Sequence, residues 1–270
     1  MSTILNCSDI HEFARDSFMD FKSLYKDRPI KTNKGGMEVA HSFALYCFLK
    51  ILQPKVVVES GVWKGHSTWL IEETLPEAEL LCFDIDFSRL VYRSDSAHYI
   101  QGDISSTNWT ELFDCFKTKN ISEDNILLFL DDHQHFDERI DFIRDSGLRH
   151  IIVEDNYPCD QGDALSPKKI IESEDSCIIV SNGTRNRVEI DHELKNKFHS
   201  MFPQIEIFPP LYHHCYTRWN TPFSSYKTPQ PVFKDPLAGD EELYSHSLDY
   251  NWMAYLKTAG KPLTTQGSFT

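Results

Sequence analysis

The 270-residue chain reads as a doubly wound α/β fold, an open and mostly parallel sheet with helices on both faces. Three observations predict it. Short apolar runs recur at Val56–Val58, Leu80–Phe83, Ile126–Leu130 and His150–Val153, and they are continuous rather than alternating. Helical stretches separate them, which is the pattern of strands buried on both faces. Each run also ends in an acidic residue: Glu59, Asp84, Asp131 and the Glu154-Asp155-Asn156 triplet. In such sheets ligands sit beyond the carboxyl ends of the strands, so these acids are expected along one rim.

Taken in order, residues 1–40 read as short helices and a polar loop ending in Asn33-Lys34-Gly35-Gly36. A helix follows from Glu38 to Leu52, closed by Pro54. After the first strand a glycine turn leads to a helix near Ser67, and a further helix runs from about Asp137 to Ser146, stopped by Gly147. Cys177–Val180 and Ile205–Phe208 read as later strands, with a helix over His192–Phe202 between them. The last 55 residues change character. Prolines at 222, 229, 231 and 236 mark an extended loop. A terminal helix is then expected from Asp240 to a stop at Gly260 and Pro262, with Tyr244, Leu248, Trp252 and Tyr255 on one face. The division is an N-terminal extension over 1–40, a central domain over 41–215 and a C-terminal extension over 216–270.

A net charge of −14 argues against broad binding to nucleic acid or an anionic membrane surface. The first residues lack a basic and apolar leader, and the longest apolar stretch, Phe43–Leu52, is too short for a membrane span. Seven cysteines are scattered without a metal-type pair spacing, and Cys47, Cys82 and Cys177 sit in apolar runs as reduced thiols do. A cytoplasmic protein is the simplest reading, and the oligomeric state is left open.

Two constellations carry chemistry. The first is Val56-Val57-Val58-Glu59-Ser60-Gly61-Val62-Trp63-Lys64-Gly65-His66-Ser67, a strand, a glycine turn and a helix start. Glycines let the backbone approach a ligand and the helix start offers free N–H groups. The spacing is neither that of a dinucleotide fingerprint nor that of a phosphate loop. A Glu59 carboxylate repels phosphate and suits an ammonium group. The second is Asp131-Asp132-His133-Gln134 with Glu154-Asp155-Asn156, at the ends of neighbouring strands. Two carboxylates and an amide oxygen are hard ligands suited to Mg2+ or a similar cation.

Together these residues resemble the metal-dependent class I S-adenosylmethionine O-methyltransferases, the catechol, caffeoyl-CoA and macrocin-type enzymes. Their first strand ends in Glu-x-Gly-x-x-x-Gly-x-Ser, matched by Glu59, Gly61, Gly65 and Ser67. The resemblance implies that this turn, Trp63 included, holds the amino-acid end of S-adenosylmethionine, that Asp84 takes the ribose hydroxyls, and that Asp103 lies near the adenine. It also implies a metal site of Asp131, Asp155 and Asn156 for Mg2+ or Mn2+, a sheet of about seven strands, and a small-molecule hydroxyl acceptor. Gln134 stands where the family has a lysine that helps deprotonate the acceptor, and glutamine is no base. His133 or Asp132 is expected to take that role beside Asp131. The missing lysine favours a sugar or natural-product acceptor over a catechol.

Two rival readings stand beside this one. His133-x-His135-x-Asp137 has the look of a metallohydrolase motif, with His150, His192, His213 and His214 as further ligands. A non-catalytic interaction protein on a cofactor fold would use the aromatic tail, but has no need of the acidic strand ends.

Overall fold

A computed structural model of the chain describes residues 7–259. Helix α1 (Cys7–Lys26) is one continuous element rather than several short ones, followed by a loop and helix α2 (Val39–Leu52). Strand β1 (Val56–Ser60) leads to α3 (His66–Thr74), β2 (Glu79–Asp84) and β3 (His98–Gln101). Helix α4 (Trp109–Thr118), β4 (Ile126–Leu130), α5 (Phe136–Ser146), β5 (His150–Val153) and α6 (Pro167–Glu172) complete the βα alternation. Then come β6 (Ser176–Ser181), β7 (Thr184–Glu189), α7 (His192–Met201), β8 (Gln204–Ile207), α8 (Glu241–His246) and β9 (Ala254–Lys257).

Among the described residues the main sheet has seven strands in the order β3-β2-β1-β4-β5-β9-β8. Neighbours from β3 to β5 pair parallel, and β9 pairs antiparallel with both β5 and β8. This is the doubly wound, mostly parallel architecture expected from the sequence. Val57, Cys82, Leu127 and Phe129 face a core built with α1, α2 and α3. Val56, Val58, Leu128 and Leu130 face a second core built with α4, α5 and α7. Continuous apolar runs are therefore a necessity in β1 and β4, neither of whose faces meets water.

Strand order reverses between β1 and β4, which places the crevice outside their carboxyl ends. Gly61 follows β1 and Asp131 follows β4, and their backbones lie against one another at that point.

Three expectations are corrected. Cys177–Val180 does form a strand, β6, but it pairs with β7 as a separate hairpin whose Asn182-Gly183 turn has both residues at positive φ. The expected terminal helix over 240–260 is only α8, preceded by Asp240, whose side chain bonds Lys22 and Tyr212 rather than capping it; its proposed stop at Gly260 and Pro262 lies outside the described residues. Trp252, at φ +55, turns the chain, and Tyr255 sits in a strand inserted between β5 and β8. Residues 254–257 thus complete the central sheet, so the segment from 216 onward is not an appendage to it.

Candidate functional site

The motif after β1 divides into residues that build the turn and residues that face the crevice. Glu59 is fully buried inside β1, where its carboxylate accepts hydrogen bonds from Ser67, from Thr68 (2.7 Å) and from the Cys82 thiol (3.2 Å). Burial raises its pKa against the pull of those donors. Glu59 and Ser67 therefore pin α3 to the sheet, and the expected contact of Glu59 with an ammonium group is replaced by these internal bonds. Gly65 has φ +85, and a side chain there would meet the Tyr92 carbonyl oxygen at 2.2 Å, so its glycine answers a packing demand.

Gly61, Trp63, Asp84 and Asp103 do line the open cleft, which has a volume of ≈ 700 Å3. Asp84 Oδ2 accepts from the backbone N–H groups of Val62 (2.8 Å) and Trp63 (2.9 Å), so the end of β2 holds the glycine turn in shape. The Trp63 indole closes one wall against Gly36, where an added Cβ would come within 2.6 Å of the ring. The loop before α2 is thereby part of the cleft.

Across the cleft, ligand atoms of Asp131, His133 and Asp155 all lie within 4.8 Å of one another. Burial, then the charges of Glu154 and Asp155, push the Asp131 carboxyl well above the usual carboxylate range. The buried Oδ2 of Asp155 has no aligned hydrogen-bond donor among the described residues. A cluster of carboxylates that repel one another, with a buried oxygen that no aligned donor satisfies, fits a divalent cation. Asp131 and Asp155 are the acids expected there. The Asn156 side chain is engaged by other partners: its amide oxygen accepts from the Lys168 backbone N–H (2.7 Å) and its amide nitrogen donates to the Trp252 carbonyl (2.9 Å).

The two expected bases behave differently from a free acceptor. Nδ1 of His133 lies 2.9 Å from Asp155 Oδ2 and 3.2 Å from Asp163 Oδ1. Asp155 first, then Asp163, push its pKa up to about 12, so in this arrangement the imidazole holds its proton. Asp132 Oδ2 accepts from Ser60 Oγ (2.7 Å) and from Arg139 (2.8 Å), which makes it an anchored structural acid. His135 and Asp137 join no such cluster among the described residues, and His150 stands at the opposite end of β5 against Tyr255. The metallohydrolase motif is thus not assembled.

Several site residues escape the sequence reading. Arg139 on α5 is buried, forms two bonds to Asp103 (2.8 and 2.9 Å) and one to Asp132, and so ties the ends of β3 and β4 together. Its signal was available: it falls on the buried face of α5 with Phe136, Ile140 and Ile143, where a charge is out of place. His41 on α2 is buried against Glu154, with Asp249 3.8 Å away on its other side. Asp249 in turn pairs with Arg218, whose guanidinium stacks on Trp219 at 4.1 Å. The C-terminal segment therefore reaches the acidic cluster through His41.

Burial would lower the His41 pKa, but the charges of Glu154, Asp249 and Asp155 outweigh it and push it up to about 9. The folded chain then holds a proton that the unfolded one releases near 6.5. Stability from this pair is complete below that value and is lost as pH rises through 9. In metal-free protein the melting temperature should fall across that window, and His41→Gln should flatten the fall. An identical slope in the variant would place the proton elsewhere.

No protein-family model and no curated protein matches the chain. Among solved structures it is similar to cmcI with Mg and SAM, at 20% identity and TM-score 0.31, over 41% of this chain and 49% of that one. It is also similar to the SAH-bound Podospora anserina methyltransferase PaMTH1, at 17% identity and TM-score 0.33, over 57% and 64%. A methyltransferase from Geobacter sulfurreducens matches at 13% identity and TM-score 0.33, over 62% and 84%. The chain spans about half the length of two cmcI chains it matches and 75% of a third. No helix among the described residues is long and apolar enough to cross a membrane.

Proposed function

We propose that the chain is an S-adenosylmethionine-dependent, divalent-metal-assisted O-methyltransferase for a hydroxyl of a small molecule, such as a sugar or natural-product intermediate. The observation that carries this reading is one cleft at the strand-order reversal that joins two sites. A glycine turn held by Asp84 lies on one side, and Asp131 and His133 of the acidic cluster line the other. At ≈ 700 Å3 the cleft lies within the ~300–1,000 Å3 of a usual ligand pocket.

Each residue then has a task. The glycines of the turn let its backbone approach the amino-acid end of the cofactor at close range, Asp84 presents its carboxylate to the ribose side, and Asp103, fixed by Arg139, borders the adenine side. Asp131 and Asp155 hold the cation, which when bound supplies Lewis acidity at the acceptor oxygen. Trp63 and the loop before α2 wall off water on the cofactor side. Departure of a neutral thioether needs no proton donor, and none is required in the cleft.

Chelation should stop methyl transfer, with an added divalent ion restoring it. Asp155→Ala should lower turnover by several kcal/mol of barrier, roughly 10²–10³-fold, while S-adenosylhomocysteine still binds. Full turnover in excess chelator would refute the metal-assisted step.

A further inference from the structure

Ligands held ~2.1 Å from one ion stand ~3 Å apart when adjacent and ~4.2 Å apart when opposite. The Asp131, His133 and Asp155 donor atoms lie within 4.8 Å of one another, near that span, and His133 Nδ1 to Asp155 Oδ2, at 2.9 Å, is an adjacent-ligand separation. His133 reaches this position through a left-handed backbone, φ +54, which turns its ring back between the acids instead of onward with α5. Asp155 Oδ2 is the buried atom left without an aligned donor. Asn156, by contrast, already has its oxygen engaged by the N–H of Lys168 at the start of α6.

We infer that His133 is itself a ligand of the cation, in the place expected for Asn156, and that the centre therefore takes Fe2+, Co2+ or Zn2+ in preference to Mg2+. Imidazole nitrogen suits those borderline ions, whereas an all-oxygen set suits Mg2+. The inference rests on the metal-assisted reading above and refines it. It also settles the role of the imidazole: a nitrogen whose lone pair is given to an ion carries no proton and accepts none, so His133 is not the base. The contact of Nδ1 with Asp163 is the one the ion replaces, because the nitrogen cannot donate a proton to Asp163 and bind an ion at once.

The test uses the full chain stripped with chelator and titrated with Co2+, and separately with Mg2+, by calorimetry. Wild type and His133→Ala are compared after melting curves confirm that both fold, as expected for a half-exposed side chain. Co2+ affinity should fall at least tenfold in the variant, since even loss of an orienting partner to a metal ligand costs ~10–100-fold. Mg2+ affinity should change little. Mn2+-loaded wild type should show nitrogen hyperfine coupling in pulsed electron paramagnetic resonance, and the variant should lack it. Equal Co2+ affinities with no nitrogen coupling would overturn the inference and leave an oxygen-only metal site intact. Wild type that binds none of these ions would overturn the metal-assisted reading itself, and this inference with it.

Discussion

Gly61→Ala should be the most damaging addition of a single methyl group to this chain. Gly61 has φ +91, a conformation that strains any other residue by ~1–3 kcal/mol. The added Cβ would also lie 2.0 Å from the Asp131 carbonyl oxygen, 2.5 Å from its carbonyl carbon and 2.9 Å from the Asp132 nitrogen. All three atoms are backbone, so no side-chain rotation relieves the clash; β1 and β4 must separate at the crevice. A loss of about 4 kcal/mol, or roughly 10 °C in melting temperature, is expected. Both sites should fail together, because the same backbone carries the glycine turn and Asp131. Gly239→Ala is the matched control: its φ is +87, but nothing lies within 4 Å of an added Cβ, so only the conformational strain remains.

Arg139→Met should have the next largest effect. The substitution keeps much of the buried stem and removes the guanidinium, leaving the Asp103 and Asp132 carboxylates without their shared cation. Breaking a buried pair costs ~3–5 kcal/mol, but the Asp103 side chain is 40% exposed and water partly screens it, so about 2–3 kcal/mol is expected. Arg139 holds the Asp103 carboxyl well below the usual carboxylate range. A depressed folded pKa stabilises above the unfolded value of 3.8 and is lost as pH falls below it. Arg139→Met should therefore lose part of the acid-limb decline in stability that wild type shows. Arg139→Lys should recover little, since an ammonium group cannot make the paired bonds to Asp103. Equal melting temperatures for wild type and Arg139→Met would show that Arg139 does not join the two strand ends.

The parts of this molecule legible in its sequence are those set by local pattern. Continuous apolar runs mark β1, β2, β4 and β5, and the acids that end them mark the rim. The glycine spacing after β1 locates the turn that lines the cleft. What stayed hidden depends on distant pairing. His150 pairs with Lys257 across the sheet, and nothing near Ala254–Lys257 announces an inserted strand. Aromatics at 244, 252 and 255 imitate a helical stripe, and a short apolar run cannot be told from a helix by periodicity alone. Asn156 beside Asp155 looks like a ligand until Lys168 and Trp252 occupy its amide. Glu59 has a ligand's chemistry but an inward-facing position in β1, which only the contacts of Ser67 and Thr68 reveal. The β6–β7 hairpin is different: Asn182-Gly183 is a strong hairpin signal and was open to reading.

The central claim is that the cleft binds S-adenosylmethionine, and thermal denaturation with S-adenosylhomocysteine tests it most directly. At a hundredfold excess over its Kd, a ligand that binds only the folded chain stabilises it by ~2.7 kcal/mol, which is roughly 5–10 °C here. That shift should appear with S-adenosylhomocysteine, persist in chelator, and shrink in Asp84→Ala, where the turn loses the carboxylate that shapes it. A comparable shift with NAD or ATP, and none with S-adenosylhomocysteine, would contradict the account.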